Sequence, residues 1–178
     1  MPQYQQAFIN AVDLDPLHCS VTELKAAAEL HSNATPSMAD DKDAWLDWLL
    51  SQCVITQFAT KRFTFLTGYP ASQAALSRLD ESGLTAQRFE VFYGELELAN
   101  AFHELTDAKQ QLRRFEQENQ HRERQGQSPI TLDHRLIAAL EAGLPACSGV
   151  ALGLDRLLMV LTGQDNLEQV IAFPHRLA

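Results

Sequence analysis

The chain has 178 residues, of which 46% are hydrophobic, and a formal net charge of −9 at pH 7. The length suffices for one hydrophobic core, with or without a small lobe. The acidic balance argues against a protein that mainly grips nucleic acid through a basic face. No run approaches the roughly 20 apolar residues of a membrane helix, and the N-terminus lacks a signal-peptide pattern. The three cysteines have no CxxC spacing, so the sequence predicts a cytoplasmic protein without a disulfide framework or zinc site.

The first third of the sequence predicts helices. Ser20 and Glu23 in "SVTE" have the spacing of a capping box before "LKAAAEL". The segment "KDAWLDWLLSQC" at 42–53 repeats its apolar residues at helical spacing. Between them, "HSNATPSMADD" at 31–41 has the composition of a loop. We interpret 1–60 as a helical, insertion-like region.

The remainder alternates strands with helices of varied length. A strand is predicted in "FTFLTGYP" at 63–70, a short helix in "SQAALSRL" at 72–79, and a hairpin over 87–105 with its turn at Tyr93-Gly94. A long helix opens at Thr106 and runs to about Arg124, a second covers 133–143, and a strand followed by a helix covers 147–163. Such connections are not regular βαβ crossovers. They predict an antiparallel sheet with helices, an α+β fold.

Two glutamates of the hairpin are the first candidate site. A two-residue turn at Tyr93-Gly94 places Glu90 opposite Glu97. Like charges facing each other across a ladder are destabilising by roughly 0.2–1 kcal/mol, and a divalent cation between them would reverse the sign. The alternatives are a register that is off by one, or carboxylates that splay into solvent.

Asn100 and Glu104 share strand parity and are candidates for one pocket, whereas Glu97 has the opposite parity. Either a bulge lies between Glu97 and Asn100, or these residues address different groups. A buried carboxylate beside an amide suits a ligand ammonium group. The alternative is that Glu104 only supports the helix that follows it.

The stretch "CSGVALGLDRLLMV" at 147–160 is the second candidate site. Gly149, Ala151 and Gly153 share one parity, so that face of the strand has almost no side-chain bulk and a flat ligand could lie against it. Arg156 falls in the first turn of the next helix, where a cation opposes the helix dipole. A bound phosphate would be favoured by both the dipole and the guanidinium. The alternative is a surface Asp155–Arg156 pair.

These residues together resemble a known family. "GVALGLDRLLM" resembles motif 3 of the class II aminoacyl-tRNA synthetases, and "FEVFYGELELANAFHELTD" is similar to the preceding stretch of the lysine branch. "YQQAFINAVDLDPL" and "YPASQAALSRL" are similar to the lysyl-tRNA synthetase paralogues that modify elongation factor P. The resemblance implies a partial class II antiparallel sheet flanked by helices. Residues 61–178 would form the C-terminal part of the catalytic domain, including motif 3.

The resemblance also implies a reaction. Lysine or (R)-β-lysine would be activated with ATP and Mg²⁺ as an aminoacyl-adenylate, and the acyl group would pass to a lysine of elongation factor P. The positions that match the family's site fall into two groups. Those for ATP and Mg²⁺ are Glu90 and Glu97 as metal ligands, Gly153, and Arg156 as the catalytic phosphate clamp. Those for the amino acid are Asn100, Glu104, Gly149 and Ala151.

The sequence departs from the tRNA-charging branch in two respects. Ala151 stands where that branch has glycine, which favours factor modification and argues against tRNA as the partner. No counterpart of motif 1, which forms the family's homodimer interface, or of motif 2 is present, and there is no anticodon-binding domain. We therefore expect the chain to supply about half a site within a longer parent. The alternatives are a non-catalytic binding module and a fragment of a true lysyl-tRNA synthetase.

Overall fold

A computed structural model of the chain describes residues 1–31 and 38–174, and its architecture is an antiparallel sheet with flanking helices. The helices are α1 (Tyr4–Val12), α2 (Val21–His31), α3 (Lys42–Leu49), α4 (Ala108–Arg124), α5 (His134–Ala142) and α6 (Leu154–Thr162). The strands are β1 (Phe63–Thr67), β2 (Arg88–Tyr93), β3 (Leu96–His103) and β4 (Ser148–Leu152). The α+β class predicted from the sequence is confirmed. Most of the predicted loop at 31–41 lies outside the described residues.

The helix starts follow from capping side chains. The Ser20 main-chain N–H donates to Glu23 Oε2 (2.8 Å) and the Glu23 N–H donates to Ser20 Oγ (3.3 Å), so the predicted capping box is confirmed. The long helix α4 is capped by Asp107, whose carboxylate accepts from the Gln110 N–H at 3.0 Å, rather than opened by Thr106. In the described part of the chain, no helix is long and apolar enough to cross a membrane.

The predicted helix over 72–79 is wrong, because only a short 3-10 turn at Ala71–Gln73 forms there. Ala75 adopts a positive φ of 49°, which interrupts any helix. Beyond it, the Arg78 N–H donates to the His103 carbonyl (2.8 Å), and Ser77 forms a bridge with Glu104. The first part of the segment forms turns, such as the bond from the Ser77 N–H to the Ala74 carbonyl (2.8 Å), and the backbone beyond Ser77 bonds to its neighbours in the sheet.

The four strands pair in the order β1-β2-β3-β4, and every pair is antiparallel. The predicted hairpin turn was one residue too early: Tyr93 pairs with Leu96, so the loop is Gly94-Glu95, with Gly94 at φ 57°. The predicted pairing of Glu90 with Glu97 is consequently wrong. Glu90 lies opposite Asn100, and Glu97 lies opposite Phe92.

The main core joins the helices to one face of the sheet. Its large buried side chains come from α1, α2, α3, the strands and the segment after β1, and include Tyr4, Phe8, Leu24, Leu46, Leu49, Leu66, Tyr69 and Phe92. Residues before and after position 60 therefore share this core. The division into regions 1–60 and 61–178 stays a prediction.

The other end of the sheet is less covered. Among residues 1–31 and 38–174, β4 pairs with no strand other than β3, and Val150 is 64% exposed. Helix α6 leaves Leu154 and Leu161 71% and 73% exposed. Large apolar side chains left exposed on two consecutive elements are typical of a region that contacts another polypeptide.

Candidate functional site

The candidate site occupies one face of the sheet, where β3 lies between β2 and β4. Asn100 has Glu90 opposite it on β2 and Ala151 opposite it on β4, and residues directly opposite each other share a face. Ala151 and Gly153 leave room above the strands. A cavity of about 400 Å³ results, and its lining includes Glu97, Asn100, Ala151, Gly153 and Arg156. The structure therefore brings together five residues that the sequence placed in two separate segments.

A bulge in β3 resolves the conflict in strand parity. The register shifts so that Val91 pairs with Ala99 and Phe92 with Glu97, which leaves Leu98 as the extra residue. The predicted alternative of a bulge between Glu97 and Asn100 is confirmed. The bulge also frees two carbonyls for the next segment: Glu97 O accepts from Arg156 Nη1 (2.8 Å) and Leu98 O accepts from the Gly153 N–H (2.8 Å). The irregular strand thus fixes the start of α6.

Glu90 is buried, with 7% of its surface exposed, and both of its oxygens accept hydrogen bonds. Tyr69 Oη donates to Oε2 at 2.5 Å, and Arg88 Nη2 donates to Oε1. Burial, followed by the charge of Glu90, raises the pKa of Tyr69, so the phenol stays protonated and remains a donor. The sequence analysis missed Tyr69 and Arg88. The available signal was that Arg88 lies two residues before Glu90 and so faces the same side of the strand.

Glu97 is in a different environment. Its carboxylate makes no hydrogen bond or ion pair to another residue within 1–31 and 38–174. Burial raises its pKa, as does the nearby charge of Glu90, while Arg156 and Arg88 lower it. A half-buried carboxylate that repels its neighbour and lacks a partner has the charge and free oxygens that a divalent cation prefers.

The residues at this position fit a divalent cation shared with a phosphate ligand. Glu97 offers both oxygens, and Glu90 adds negative charge close by. Within the described residues, no group of three or more His, Cys, Asp or Glu side chains forms a metal site. A cation held by two carboxylates would complete its coordination with water and substrate oxygens, as Mg²⁺ does.

Arg156 lies in the first turn of α6, beside Gly153, which provides no side-chain cap. Its guanidinium donates to the Glu97 carbonyl, and in the described part of the chain it forms no ion pair with Asp155. Asp155 and Arg156 are both exposed, so the choice between an anion-binding arginine and a surface pair stays a prediction. An exposed guanidinium beside an uncapped helix start is an arrangement that binds anions.

The Glu104 carboxylate lies over β4 at Gly149, a residue without a side chain. A Cβ added to Gly149 would lie 2.2 Å from Glu104 Oε1, so an alanine there would force the end of the Glu104 side chain to move. By contrast, a Cβ at Gly153 would meet its nearest atom, Arg156 Cδ, at 3.5 Å, an ordinary contact. The Glu104 carboxylate accepts no hydrogen bond from another described residue. It is available to a ligand cation on the face that carries Asn100 and Ala151.

The sequence matches the family described as tRNA synthetases class II (D, K and N) over residues 6–177. The chain belongs to this class II synthetase family. Among curated members it is 48% identical to "Elongation factor P--(R)-beta-lysine ligase" of Vibrio parahaemolyticus, over 98% of this chain and 55% of that protein. It is 45% identical to the proteins of the same name from Salmonella typhi and Klebsiella pneumoniae, over 96% of this chain and 53% of each.

The chain spans about half the length of the curated relatives it matches. The predicted resemblance to class II synthetases, and to the branch that modifies elongation factor P, is confirmed. The roles assigned to individual site residues remain predictions.

Proposed function

We propose that this chain is part of an ATP-dependent ligase. The ligase activates (R)-β-lysine or lysine as an aminoacyl-adenylate and transfers it to a lysine of elongation factor P. The observation that carries the proposal is the single cavity that Glu97, Asn100, Ala151 and Arg156 share. It is supported by relatives at 45–48% identity that are named for ligation of (R)-β-lysine to this factor. The partner is the factor rather than tRNA, and the setting is the cytoplasm.

ATP binds where β3 meets α6. Arg156 and the α6 N-terminus hold the terminal phosphates, and the Gly153 main chain lies beside the nucleotide. Glu90 and Glu97 hold Mg²⁺, with Glu97 as the more available ligand because both Glu90 oxygens already accept hydrogen bonds. When bound, Mg²⁺ neutralises phosphate charge. The amino-acid carboxylate attacks the α-phosphate, the bond from the α-phosphorus to the oxygen that bridges to the β-phosphate breaks, and pyrophosphate leaves. Arg156 acts as the catalytic residue by stabilising the negative charge that develops on the departing pyrophosphate.

The amino acid lies along the small side chains of β4. Glu104 pairs with an ammonium group, because a half-buried carboxylate without a partner is stabilised by a cation. Gly149 allows Glu104 to reach the strand surface, and Ala151 sets the depth of the pocket opposite Asn100. This arrangement positions the substrate and requires no side-chain nucleophile.

The activity belongs to a longer protein, since the chain spans about half of each relative. The remaining part would supply the groups that hold the α-phosphate, and it would cover the exposed apolar residues of β4 and α6. The half coverage also favours a second candidate, in which the chain alone is a binding module that holds nucleotide or amino acid without reacting.

The test is amino-acid-dependent ATP–pyrophosphate exchange. Two proteins are compared: this chain alone, and a fusion in which it replaces the matching 55% of the Vibrio parahaemolyticus ligase. We expect exchange by the fusion, with (R)-β-lysine preferred over lysine, and none by the chain alone. A folded fusion that binds ATP but never exchanges would favour the binding module, and Arg156→Ala in the active fusion provides the matched loss-of-function control.

A further inference from the structure

Arg88 connects more of the candidate site than any residue that the sequence singled out. Each guanidinium nitrogen bonds to a different residue: Nη1 to the Gln73 carbonyl (2.8 Å), Nη2 to Glu90 Oε1, and Nε to Asn100 Oδ1 (3.2 Å). The guanidinium carbon lies 4.3 Å from the centre of the Tyr69 ring, and the side chain is 15% exposed. Such a side chain has little freedom to reorient.

Arg88 is held by residues that connect to two parts of the structure, the sheet and helix α3. Tyr69 stacks on the guanidinium and also donates to the second oxygen of Glu90, so arginine, tyrosine and glutamate form a closed group. Gln73 is itself bonded to Asp47 of α3 through its side-chain amide (2.7 Å). The position of Arg88 therefore depends on both the sheet and the helical part of the core.

The contact with Asn100 determines which way the amide faces. A guanidinium has donors only, so the Asn100 atom that it contacts must be the oxygen. The amide nitrogen Nδ2 then points away from Arg88 and has no hydrogen-bond partner in residues 1–31 and 38–174. Asn100 lines the cavity of about 400 Å³, so an N–H₂ donor is offered to whatever binds there.

We propose that Arg88 is a positioning residue that fixes the Asn100 amide with its N–H₂ group toward the cavity, so that Asn100 binds an anionic oxygen of the substrate. The inference rests on the proposed function and refines it. The Asn100 amide donates a hydrogen bond to an oxygen of the substrate, and Glu104 pairs with the substrate ammonium group. The acceptor is the amino-acid carboxylate or a phosphate oxygen of ATP, which share this chemistry.

The first measurement needs no ligand and no activity. In ¹⁵N-labelled chain, the side-chain amide signals of Asn100 are identified by their loss in Asn100→Asp. Arg88→Lys keeps the positive charge beside Glu90 but loses the planar donor set, so we expect it to shift these signals. Arg62→Lys, at an exposed arginine, should leave them in place. Unmoved signals in a folded Arg88→Lys chain would overturn the positioning role, whether or not the proposed function holds.

The second measurement identifies the acceptor by titrating the same signals in the fusion, which contains the rest of the site, with (R)-β-lysine, lysine, 1,5-diaminopentane and ATP. A response to the diamino acids but not to diaminopentane assigns the carboxylate, and a response to ATP alone assigns a phosphate. We expect Arg88→Lys to weaken the binding about tenfold. An equal response to diaminopentane, or a response to none of these ligands, would overturn the acceptor role.

Asn100→Asp keeps the test decisive if Arg88→Lys does not fold. This nearly isosteric change preserves an oxygen for Arg88 but replaces the N–H₂ donor by a second oxygen. The account predicts at least tenfold weaker binding of the responding anion by calorimetry, with binding of diaminopentane unchanged or stronger. Unchanged anion affinity would overturn the proposal. Failure of the proposed function is seen separately, as absence of pyrophosphate exchange in the wild-type fusion.

Discussion

Gly149 lies in β4 and Gly153 follows the end of β4 as the N-cap of α6, and the structure gives them different constraints. The Glu104 carboxylate lies directly over Gly149, whereas the space over Gly153 admits a methyl group at ordinary contact distance. The φ of Gly153 is −75°, which any residue adopts. The sequence grouped the two glycines by parity, and only the structure shows which of them lies beneath another side chain.

Gly149→Ala should therefore displace the Glu104 carboxylate. Because this carboxylate is the far end of a flexible side chain, we expect it to move with little change in the free energy of unfolding, but with a larger loss of amino-acid affinity than of ATP affinity in the fusion. Gly153→Ala is the matched control and should change the amino-acid affinity little. Equal amino-acid affinities of the two variants would contradict the assigned contact.

The variant Glu97→Gln is expected to raise the stability of the chain and to weaken its binding of nucleotide. Since burial and Glu90 raise the pKa of Glu97, the native state retains its proton to a higher pH than the unfolded chain does. Stability contributed by the protonated form is lost as pH rises from the ordinary carboxyl range through the raised pKa. The variant should remove this decline and be more stable than wild type at pH 7.5, as measured by urea denaturation at pH 4.5 and 7.5.

The same variant should bind Mg·ATP about tenfold or more weakly in the fusion, and unchanged nucleotide affinity would contradict the metal role.

At the level of elements, helix α3 is tied to the segment that precedes β2 by two acidic side chains. Asp43 accepts from Ser72 Oγ and Asp47 accepts from Gln73 Nε2, each at 2.7 Å. Burial is the largest cause of the raised pKa of both carboxyls, and they also repel each other at i and i+4. Keeping both carboxylates ionised, partly buried and close together costs free energy, and an amide in place of one of them would avoid this cost.

Asp47→Asn should stabilise the chain at neutral pH. The amide oxygen can still accept from Gln73, and removal of the like-charge pair alone contributes about 0.2–0.5 kcal/mol. Because the raised pKa makes wild-type stability fall as pH rises through it, the gain should be larger at pH 7 than at pH 4. Thermal unfolding at both pH values checks this, with the exposed Asp165→Asn as control. A lower melting temperature for Asp47→Asn at pH 7 would count against this interpretation.

The elements also show what the sequence could and could not predict. Helix boundaries set by side-chain caps, such as the box at Ser20 and Glu23, were predictable because the signal is local. The failed helix over 72–79 depended on bonds to distant residues such as His103. The hairpin register was missed because a turn shifted by one residue and a bulge at Leu98 act together. Strand parity alone cannot distinguish these cases.

Prediction of the candidate site from the sequence was limited in the same way. The sequence and its family resemblance identified Glu97, Asn100, Glu104 and Arg156, which the structure places on one face or around one cavity. Neither indicated that Glu90 is held by Arg88 and Tyr69, because those contacts join segments whose pairing was unknown. Hydrogen bonds that orient a site require the register, and the register was the part predicted wrongly.

At the scale of the whole molecule, the half-length match to the relatives agrees with the exposed apolar side chains of β4 and α6. We expect these side chains to contact the part of the relatives' length that this chain does not span. Val150→Lys should therefore reduce association of this chain with the separately expressed first part of the Vibrio parahaemolyticus ligase, measured by calorimetry. Leu30→Lys, at an equally apolar and 79% exposed residue of α2, should not. Equal losses from the two variants, or none from Val150→Lys, would place the contact elsewhere.

The most direct test of the central claim is pyrophosphate exchange by the fusion of this chain with the missing part of the Vibrio parahaemolyticus ligase. The account predicts exchange that requires ATP, Mg²⁺ and (R)-β-lysine or lysine, and a large loss of exchange in Arg156→Ala with folding intact. A folded, ATP-binding fusion without exchange, or full exchange in Arg156→Ala, would contradict the claim that this sheet carries the adenylate-forming site.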